Sequence, residues 1–110
     1  MKVMVSGSRG IVTEIDQYMP ENTTMIISGG AVGIDRCAEI YADKMNIPKV
    51  IVKPDYENYG RLAPLKRNKE MVDMADMVIA IWDGHSRGTK NTIDYAISIN
   101  KPLKIYNPKI

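Results

Sequence analysis

Short apolar runs alternate with amphipathic stretches along almost the whole chain. Five runs are short and rich in aliphatic residues, which is typical of buried β-strands: residues 3–5, 25–27, 50–52, 77–82 and 103–106. Strands that are apolar on both faces and alternate with helices indicate a parallel sheet that is covered on both sides. The pattern therefore predicts a three-layer α/β fold built on a doubly wound parallel sheet of about five strands.

The amphipathic stretches between these runs predict four helices, at residues 11–19, 34–45, 65–75 and 89–97. The second is the clearest, because its apolar residues recur at the spacing of one helix face. Asn46 and Asn100 each follow a predicted helix, and a proline comes two residues later. Asn tolerates the left-handed conformation of a helix end and proline prevents continuation, so both pairs mark the ends of helices.

The length of 110 residues indicates a single domain that spans residues 1–110. Its net charge of +2 is small, whereas proteins that neutralise many phosphates of duplex DNA usually carry a stronger basic excess. Nucleic acid is therefore the partner that we expect least. A small anionic ligand needs only a few local cations and remains compatible with this charge.

The cysteine content bears on compartment and metal binding. The single cysteine, Cys37, cannot form an internal disulfide, and no cysteine or histidine spacing suits a metal ion. We expect neither a metal nor a cofactor. A free cysteine fits a reducing compartment, and the sequence has no signal peptide and no run of roughly 20 apolar residues. These features predict a cytoplasmic protein that does not interact with membranes.

Three predicted strands are followed by turns rich in glycine and small hydroxyl residues, at residues 6–10, 28–33 and 83–89. In doubly wound folds, ligands bind outside the carboxyl ends of the strands. Glycine lets the backbone approach a ligand closely, and the start of a helix favours a phosphate. The alternative is that each glycine only makes a tight turn, but three such turns on one edge favour a phosphate or carboxylate ligand. None of the turns has the spacing of a dinucleotide-binding fingerprint or a P-loop.

Several side chains near these turns could contact such a ligand. Arg9, Arg67 and Arg87 could balance its charge, since arginine can hold a phosphate through two parallel hydrogen bonds. Asp35, in the first turn of the second predicted helix, either binds a ribose hydroxyl or only favours the helix dipole. His85 is most simply a polar loop residue.

Two aromatic residues, Tyr59 and Trp82, could stack on a base. Because Trp82 ends a buried strand, core packing is an equally good interpretation of that residue. Cys37 falls on the apolar stripe of a helix and is interpreted as a core residue.

The chain resembles the SLOG superfamily, and more narrowly its YspA-like (YAcAr) branch, over residues 1–106. The resemblance rests on short motifs that occur in order: Gly7-Ser8-Arg9, Ser28-Gly29-Gly30-Ala31-Val32-Gly33-Ile34-Asp35, Tyr59-Gly60-Arg61, Pro64-Leu65-Lys66-Arg67-Asn68, Ala75-Asp76 and Ser86-Arg87-Gly88-Thr89. It implies a Rossmann-like fold, a nucleotide-like ligand and a homo-oligomer. The superfamily includes LOG enzymes, which cleave the bond between base and ribose 5′-monophosphate, DNA-processing protein A members, which bind single-stranded DNA, and sensors of nucleotide-derived signals.

The comparison with LOG enzymes argues against their reaction here. Arg67 matches an arginine of those enzymes, and Gly88-Thr89 matches the Gly-Thr of their glycine-rich loop. The glutamate that serves them as acid and base is replaced by Thr92, which cannot hold a negative charge at neutral pH. Asp94 lies about 200° further around the helix and is expected to point elsewhere.

The leading prediction is a binding domain for a nucleotide or nucleotide-derived small molecule, acting as a sensor or sequestering module. A nucleoside 5′-monophosphate phosphoribohydrolase is the first alternative, with no catalytic residue assigned, and single-stranded nucleic-acid binding is the second. The predicted ligand-binding residues are Gly7, Ser8, Arg9, Ser28, Gly29, Gly30, Ala31, Gly33, Asp35, Tyr59, Arg67, Asn68, Trp82, Asp83, Ser86, Arg87, Gly88 and Thr89.

Overall fold

Five parallel strands form one sheet in the computed structural model, which describes residues 1–108. Residues 109 and 110, the end of the predicted domain, lie outside the described part. The strands are β1 (Lys2–Gly7), β2 (Met25–Ser28), β3 (Lys49–Ile51), β4 (Met77–Ile81) and β5 (Leu103–Tyr106), in the order β3-β2-β1-β4-β5. This sheet confirms the predicted fold class. Its direction of winding switches between β1 and β4, so the carboxyl ends of these two strands flank a crevice of the kind in which doubly wound folds bind ligands.

Helices cover both faces of this sheet. They are α1 (Ile34–Lys44), the single turn α2 (Tyr56–Tyr59), α3 (Ala63–Met74) and α4 (Arg87–Ser98). On one face, α1 packs its apolar stripe on β1 and β2. On the other face, α3 and α4 pack beside each other on the central strands. The alternating side chains of β1 illustrate the two layers, since Val3 and Val5 join the first core and Met4 joins the second.

The predicted helix at residues 11–19 is wrong. This stretch contains only a 3-10 turn, Asp16–Tyr18, that no side chain caps. The apolar residues of this stretch still belong to the core, because Ile11 and Ile15 are buried in the same cluster as α1. Two of the intervening residues are the β-branched Val12 and Thr13, which lower helix propensity. Burial of two isoleucines beside α1 therefore satisfies the hydrophobic pattern without a regular helix.

Both predicted asparagine helix ends are confirmed. Asn46 and Asn100 have φ angles of 56° and 58°, and they follow the ends of α1 and α4. Among residues 1–108, no helix has the length and apolar character that crossing a membrane would require.

Candidate functional site

A cavity of about 210 Å³ opens at the carboxyl edge of the sheet, beside the switch point. Its floor comes from β1, and its walls come from the starts of α1 and α4 and from one face of α3. Nine of the predicted ligand-binding residues line it: Gly7, Arg9, Ala31, Asp35, Arg67, Asn68, Ser86, Gly88 and Thr89. All three glycine-rich turns thus contribute to one concave surface.

Two glycines fix the turns against one another. Gly33 precedes α1 with φ of 77°, and a Cβ on it would lie 2.5 Å from the carbonyl oxygen of Arg9. A Cβ on Gly7 would lie 2.5 Å from both the Cβ of Ile34 and the carbonyl oxygen of Ile81. The turns after β1 and β2 are therefore in direct backbone contact, and these glycines serve the packing of the site.

Arg67 is held rigidly at the wall of the cavity. Its Nη1 donates to the carbonyl oxygens of Gly29 at 2.9 Å and Val52 at 3.4 Å, and its Nε donates to Oδ1 of Asn68 at 3.0 Å. These bonds join α3 to the turns after β2 and β3. Within residues 1–108, the remaining nitrogen, Nη2, donates to no protein group. Arg67 therefore presents a pre-oriented donor on a side chain whose position is already fixed.

Asp35 is a buried carboxyl group on the same surface. One of its oxygens, Oδ2, accepts a hydrogen bond from the amide of Ala31 at 3.2 Å. Burial raises the pKa of Asp35 above its ordinary value of 3.8, and a Coulomb contribution from Glu39 acts in the same direction. The amide of Ala31 and the positive charges of Arg67 and Arg9 oppose this shift. Burial thus disfavours the ionised form of Asp35, and the positive charges of Arg67 and Arg9 partly offset this cost.

The raised pKa of Asp35 predicts a particular pH dependence of stability. The folded state binds this proton more tightly than the unfolded state, so the stabilising contribution is present below pH 3.8 and is lost as the pH rises through the higher folded pKa. We expect Asp35→Asn to gain stability relative to the wild type as the pH rises from about 4 towards 7. Urea unfolding at several pH values measures this difference. A difference that stays constant or shrinks with rising pH would show that burial does not control this carboxyl.

The first turn of α4 offers backbone donors to the cavity. Ser86 occupies the N-cap position, but its side chain does not cap the helix and instead lies 3.3 Å from Oγ1 of Thr89. The first amides of a helix have no intrahelical acceptor. Together with the helix dipole, the amides of Arg87, Gly88 and Thr89 make this end of the cavity suitable for an anion.

Two predicted ligand residues organise the turn before α4 and do not line the cavity. Oδ1 of Asp83 accepts hydrogen bonds from the amides of His85 at 2.7 Å and Ser86 at 2.9 Å, and these bonds lower the pKa of Asp83. Nε1 of Trp82 donates to the carbonyl oxygen of Ser86 at 3.0 Å. Both side chains therefore bond to the backbone around Ser86 and orient the start of α4.

The other predicted residues outside the cavity lining are Ser8, Ser28, Gly29, Gly30, Gly33, Tyr59 and Arg87. The two serines are buried, and their hydroxyl groups are hydrogen-bonded within the protein. Ser8 Oγ accepts from the amide of Asp83 at 3.0 Å, and Ser28 Oγ donates to the carbonyl oxygen of Asp35 at 3.3 Å. Tyr59 is exposed on α2, and Nζ of Lys66 lies 5.5 Å from the centre of its ring.

Sequence reasoning did not identify six residues that line the cavity: Met4, Val5, Ser6, Pro64, Leu65 and Met71. Three of them, Pro64, Leu65 and Met71, belong to α3. The predicted residue Asn68 lies four residues after Pro64 and three before Met71, so these three residues occupy one face of that helix. This spacing is visible in the sequence and, combined with the position of Arg67, could have indicated that α3 forms a wall of the site.

The position that aligns with the LOG glutamate does not reach the cavity. Thr92 is buried, does not belong to the cavity lining, and its hydroxyl has no hydrogen-bond partner within residues 1–108. Asp94 is exposed and forms an ion pair of 2.7 Å with Lys90.

A larger groove, of about 400 Å³, lies on the other face of the sheet between α1 and the segment before it. Its surface is mostly apolar and includes the exposed residues Val12 and Ile40. The cation beside it, Lys44, is paired with Asp16 at 2.6 Å. This groove offers no set of converging donors, so the smaller polar cavity is the better candidate for an anionic ligand.

No protein-family model matches the sequence, and no curated protein matches it. Two solved structures are similar. One is DNA processing protein A from Helicobacter pylori, described for its unique single-stranded DNA binding mode, with 20% identity, a TM-score of 0.76, and coverage of 100% of this chain and 66% of that chain. The other is DNA processing protein A from Streptococcus pneumoniae, with 21% identity, a TM-score of 0.78, and coverage of 99% of this chain and 51% of that chain.

The fold resembles that of DNA processing protein A. The chain spans about two thirds of the Helicobacter protein and about half of the Streptococcus protein, and at this identity the likeness concerns the fold. It confirms the Rossmann-like fold implied by the resemblance to the SLOG superfamily.

The expectation that nucleic acid is the least suitable partner is wrong. The same fold belongs to a protein with a single-stranded DNA binding mode. The physical reason for the error is that a net charge is an average over the molecule. A charge of +2 does not prevent a locally basic edge from binding a phosphate backbone.

Proposed function

We propose that this domain binds a nucleotide or nucleotide-derived small molecule in the cavity beside the switch point. The observation that carries the proposal is the convergence of the α4 amides, Arg9 and Arg67 with two buried polar side chains, Asp35 and Asn68, at one cavity. Concave sites with a few well-placed polar groups are typical of small-molecule binding. The ordered motifs of residues 7–9, 28–35, 64–68 and 86–89 further support membership of the YspA-like branch of the SLOG superfamily.

The phosphate is proposed to lie at the first turn of α4. There the unpaired helix amides supply positive potential and Ser86 and Thr89 add hydroxyl groups, while Arg9 lines the same cavity. The turn is prearranged by Asp83 and Trp82, so little ordering is needed when a ligand binds. Binding without turnover is favoured over LOG-type hydrolysis because Thr92, at the position of the LOG glutamate, carries no carboxylate and does not line the cavity.

A thermal-shift screen against nucleoside monophosphates, NAD, ADP-ribose and cyclic nucleotides tests this proposal. A ligand at a hundred times its dissociation constant stabilises the folded state by about 2.7 kcal/mol. For a domain of this size we expect an increase in melting temperature on the order of 10 °C. Chromatography of each ligand afterwards distinguishes binding from cleavage, since a bound ligand is recovered intact. No shift with any of these compounds would reject small-nucleotide binding.

Single-stranded nucleic-acid binding is a second candidate, favoured by the likeness to the Helicobacter protein. Exposed Tyr56 and Tyr59 lie on α2, and the same segment carries exposed Arg61 and Lys66. Aromatic side chains beside cations are the usual elements of a surface that stacks bases and follows a phosphate backbone.

Fluorescence anisotropy with a labelled oligothymidine at several salt concentrations tests the second candidate. Binding through several phosphates predicts a steep linear fall of log K with log salt concentration. Tyr59→Ala is expected to weaken that binding by about tenfold or more. Affinity that does not depend on salt, or is unchanged in Tyr59→Ala, would argue against this surface.

A further inference from the structure

Two buried side chains of the cavity each keep one polar atom without a protein partner. Asp35 is 9% exposed and Asn68 is 7% exposed. Oδ2 of Asp35 is bonded to the amide of Ala31, whereas Oδ1 accepts nothing from residues 1–108. Oδ1 of Asn68 accepts from Nε of Arg67, which leaves its Nδ2 as a donor that no described residue engages. Neither atom is among the fully enclosed polar atoms that lack a partner, so each is the accessible tip of an otherwise buried side chain that lines the cavity. An acceptor and a donor are thus open to groups of a ligand in that cavity.

These side chains form a compact set around Arg67. Asn68 is bonded directly to the guanidinium group. A Cβ built on Gly29 would lie 2.8 Å from Nη1 of Arg67 and 3.0 Å from Oδ2 of Asp35, so these two atoms flank the same small space. A ligand group in the cavity would therefore meet the carboxyl group of Asp35 and the donors of Arg67 and Asn68 on one wall.

The charge of Asp35 decides which part of a ligand this set can take. A phosphate placed against a buried carboxylate would be repelled, because like charges interact strongly where water is excluded. The phosphate therefore belongs at the α4 end of the cavity. The group beside Asp35 must donate a hydrogen bond to the carboxylate and accept one from Asn68, and hydroxyl groups do both.

The size of the cavity narrows the choice further. Its volume of about 210 Å³ is below the roughly 300–1,000 Å³ of sites that enclose a whole drug-sized ligand. The sugar and phosphate of a nucleotide are the parts that this space can take, with the base at its mouth. A ribose carries two adjacent hydroxyl groups, each of which can donate one hydrogen bond and accept another.

We propose that Asp35 and Asn68 recognise the 2′ and 3′ hydroxyl groups of a ribose, so that this site selects ribonucleotides over deoxyribonucleotides. The proposal rests on the proposed nucleotide-binding function and specifies its substrate class. It assigns Asp35 and Asn68 to sugar selection and leaves the α4 turn to the phosphate.

The test compares adenosine 5′-monophosphate with its 2′-deoxy and 3′-deoxy analogues by calorimetry on the full chain, and repeats the comparison with ribose 5-phosphate and 2-deoxyribose 5-phosphate. In the wild type, loss of one hydroxyl is expected to weaken binding about tenfold, since a buried partner is left unsatisfied. In Asp35→Ala that preference is expected to fall to less than about twofold, while affinity for the deoxy analogue changes little. Ser28→Ala is the matched control, because Ser28 is buried beside Asp35 but does not line the cavity, and it should keep the preference.

The outcomes separate this proposal from the function on which it rests. Equal affinity of the wild type for ribose and deoxyribose ligands overturns sugar selection and leaves nucleotide binding intact. Preference for the deoxy ligands overturns it and favours the single-stranded DNA candidate. If neither series binds, nucleotide binding itself is rejected. Because the wild-type comparison alone gives the ribose preference, the proposal remains testable even if Asp35→Ala fails to fold.

Discussion

Arg67→Met is expected to weaken nucleotide binding by about ten- to a hundredfold. The substitution keeps much of the aliphatic volume but removes every donor that Arg67 presents to the cavity. A hydrogen bond to a charged group contributes about 1.5–3 kcal/mol, and each 1.4 kcal/mol corresponds to about a factor of ten in affinity. The effect should be near the upper end of this range because the guanidinium group is already held in place by Gly29 and Val52.

Calorimetry measures the loss, and the fluorescence of Trp82 provides a second readout because its indole is bonded to Ser86 at the cavity. Arg61→Met is the matched control, since Arg61 is exposed near the start of α3 and does not line the cavity. It should change the affinity by less than about twofold. Arg67→Met also removes the hydrogen bonds to two backbone carbonyls, so the titration must be made well below its measured melting temperature. Equal effects of the two substitutions would remove Arg67 from the site.

Gly33→Ala is expected to reduce the free energy of unfolding by about 3 kcal/mol or more. At φ of 77° and ψ of −129°, a region that almost only glycine occupies, a residue with a Cβ is strained by about 1–3 kcal/mol. The new Cβ would also lie 2.5–2.6 Å from backbone atoms of Ser8 and Arg9. Forcing extra volume into a packed region typically costs a further 1–3 kcal/mol. Relief would require the turns after β1 and β2 to separate, which would also open the cavity.

Urea unfolding measures this loss, with Gly10→Ala as the control. A Cβ on Gly10 would meet no atom within 4 Å, and this glycine has no positive φ. Its substitution should change stability by less than about 0.5 kcal/mol. If Gly33→Ala were as stable as Gly10→Ala, the contact between the two turns would not contribute to the fold.

The sheet could be predicted because its signal is local. The central strands β1, β2 and β4 are short, mostly apolar runs whose consecutive residues are buried on both faces of the sheet. The helix at residues 11–19 could not be predicted correctly, because burial of Ile11 and Ile15 gives the same periodicity whether the backbone is helical or irregular. Tertiary packing, and not local propensity, determines that segment.

The site could be predicted to the level of its three turns but not to the level of individual side chains. Glycine-rich turns after parallel strands meet at one edge in any fold of this type. Whether a side chain faces the cavity depends on contacts across the fold. Asp83 and Trp82 lie in the right turn, yet their bonds to the backbone around Ser86 turn them away from the cavity. Asn68 is oriented by the hydrogen bond that its Oδ1 accepts from Nε of Arg67, a contact that the sequence does not show.

The overall charge was the least informative property of the sequence. Its value reflects 15 basic and 13 acidic side chains across the chain, of which three among residues 1–108 line the cavity. At that edge, Arg9 and Arg67 share a cavity with a single carboxylate, Asp35. Local placement of charge governs the binding of an anion, and this placement becomes visible only in the folded chain.

The most direct measurement is an amide chemical-shift titration of the isotope-labelled protein with adenosine 5′-monophosphate. The predicted result is that the largest changes fall on Ala31, Gly88 and Thr89, whose amides lie around the cavity. The amides of Val12 and Ile40, in the apolar groove on the opposite face, should not move. Changes centred on Val12 and Ile40, or no changes at millimolar nucleotide, would contradict the assignment of this cavity as a nucleotide-binding site.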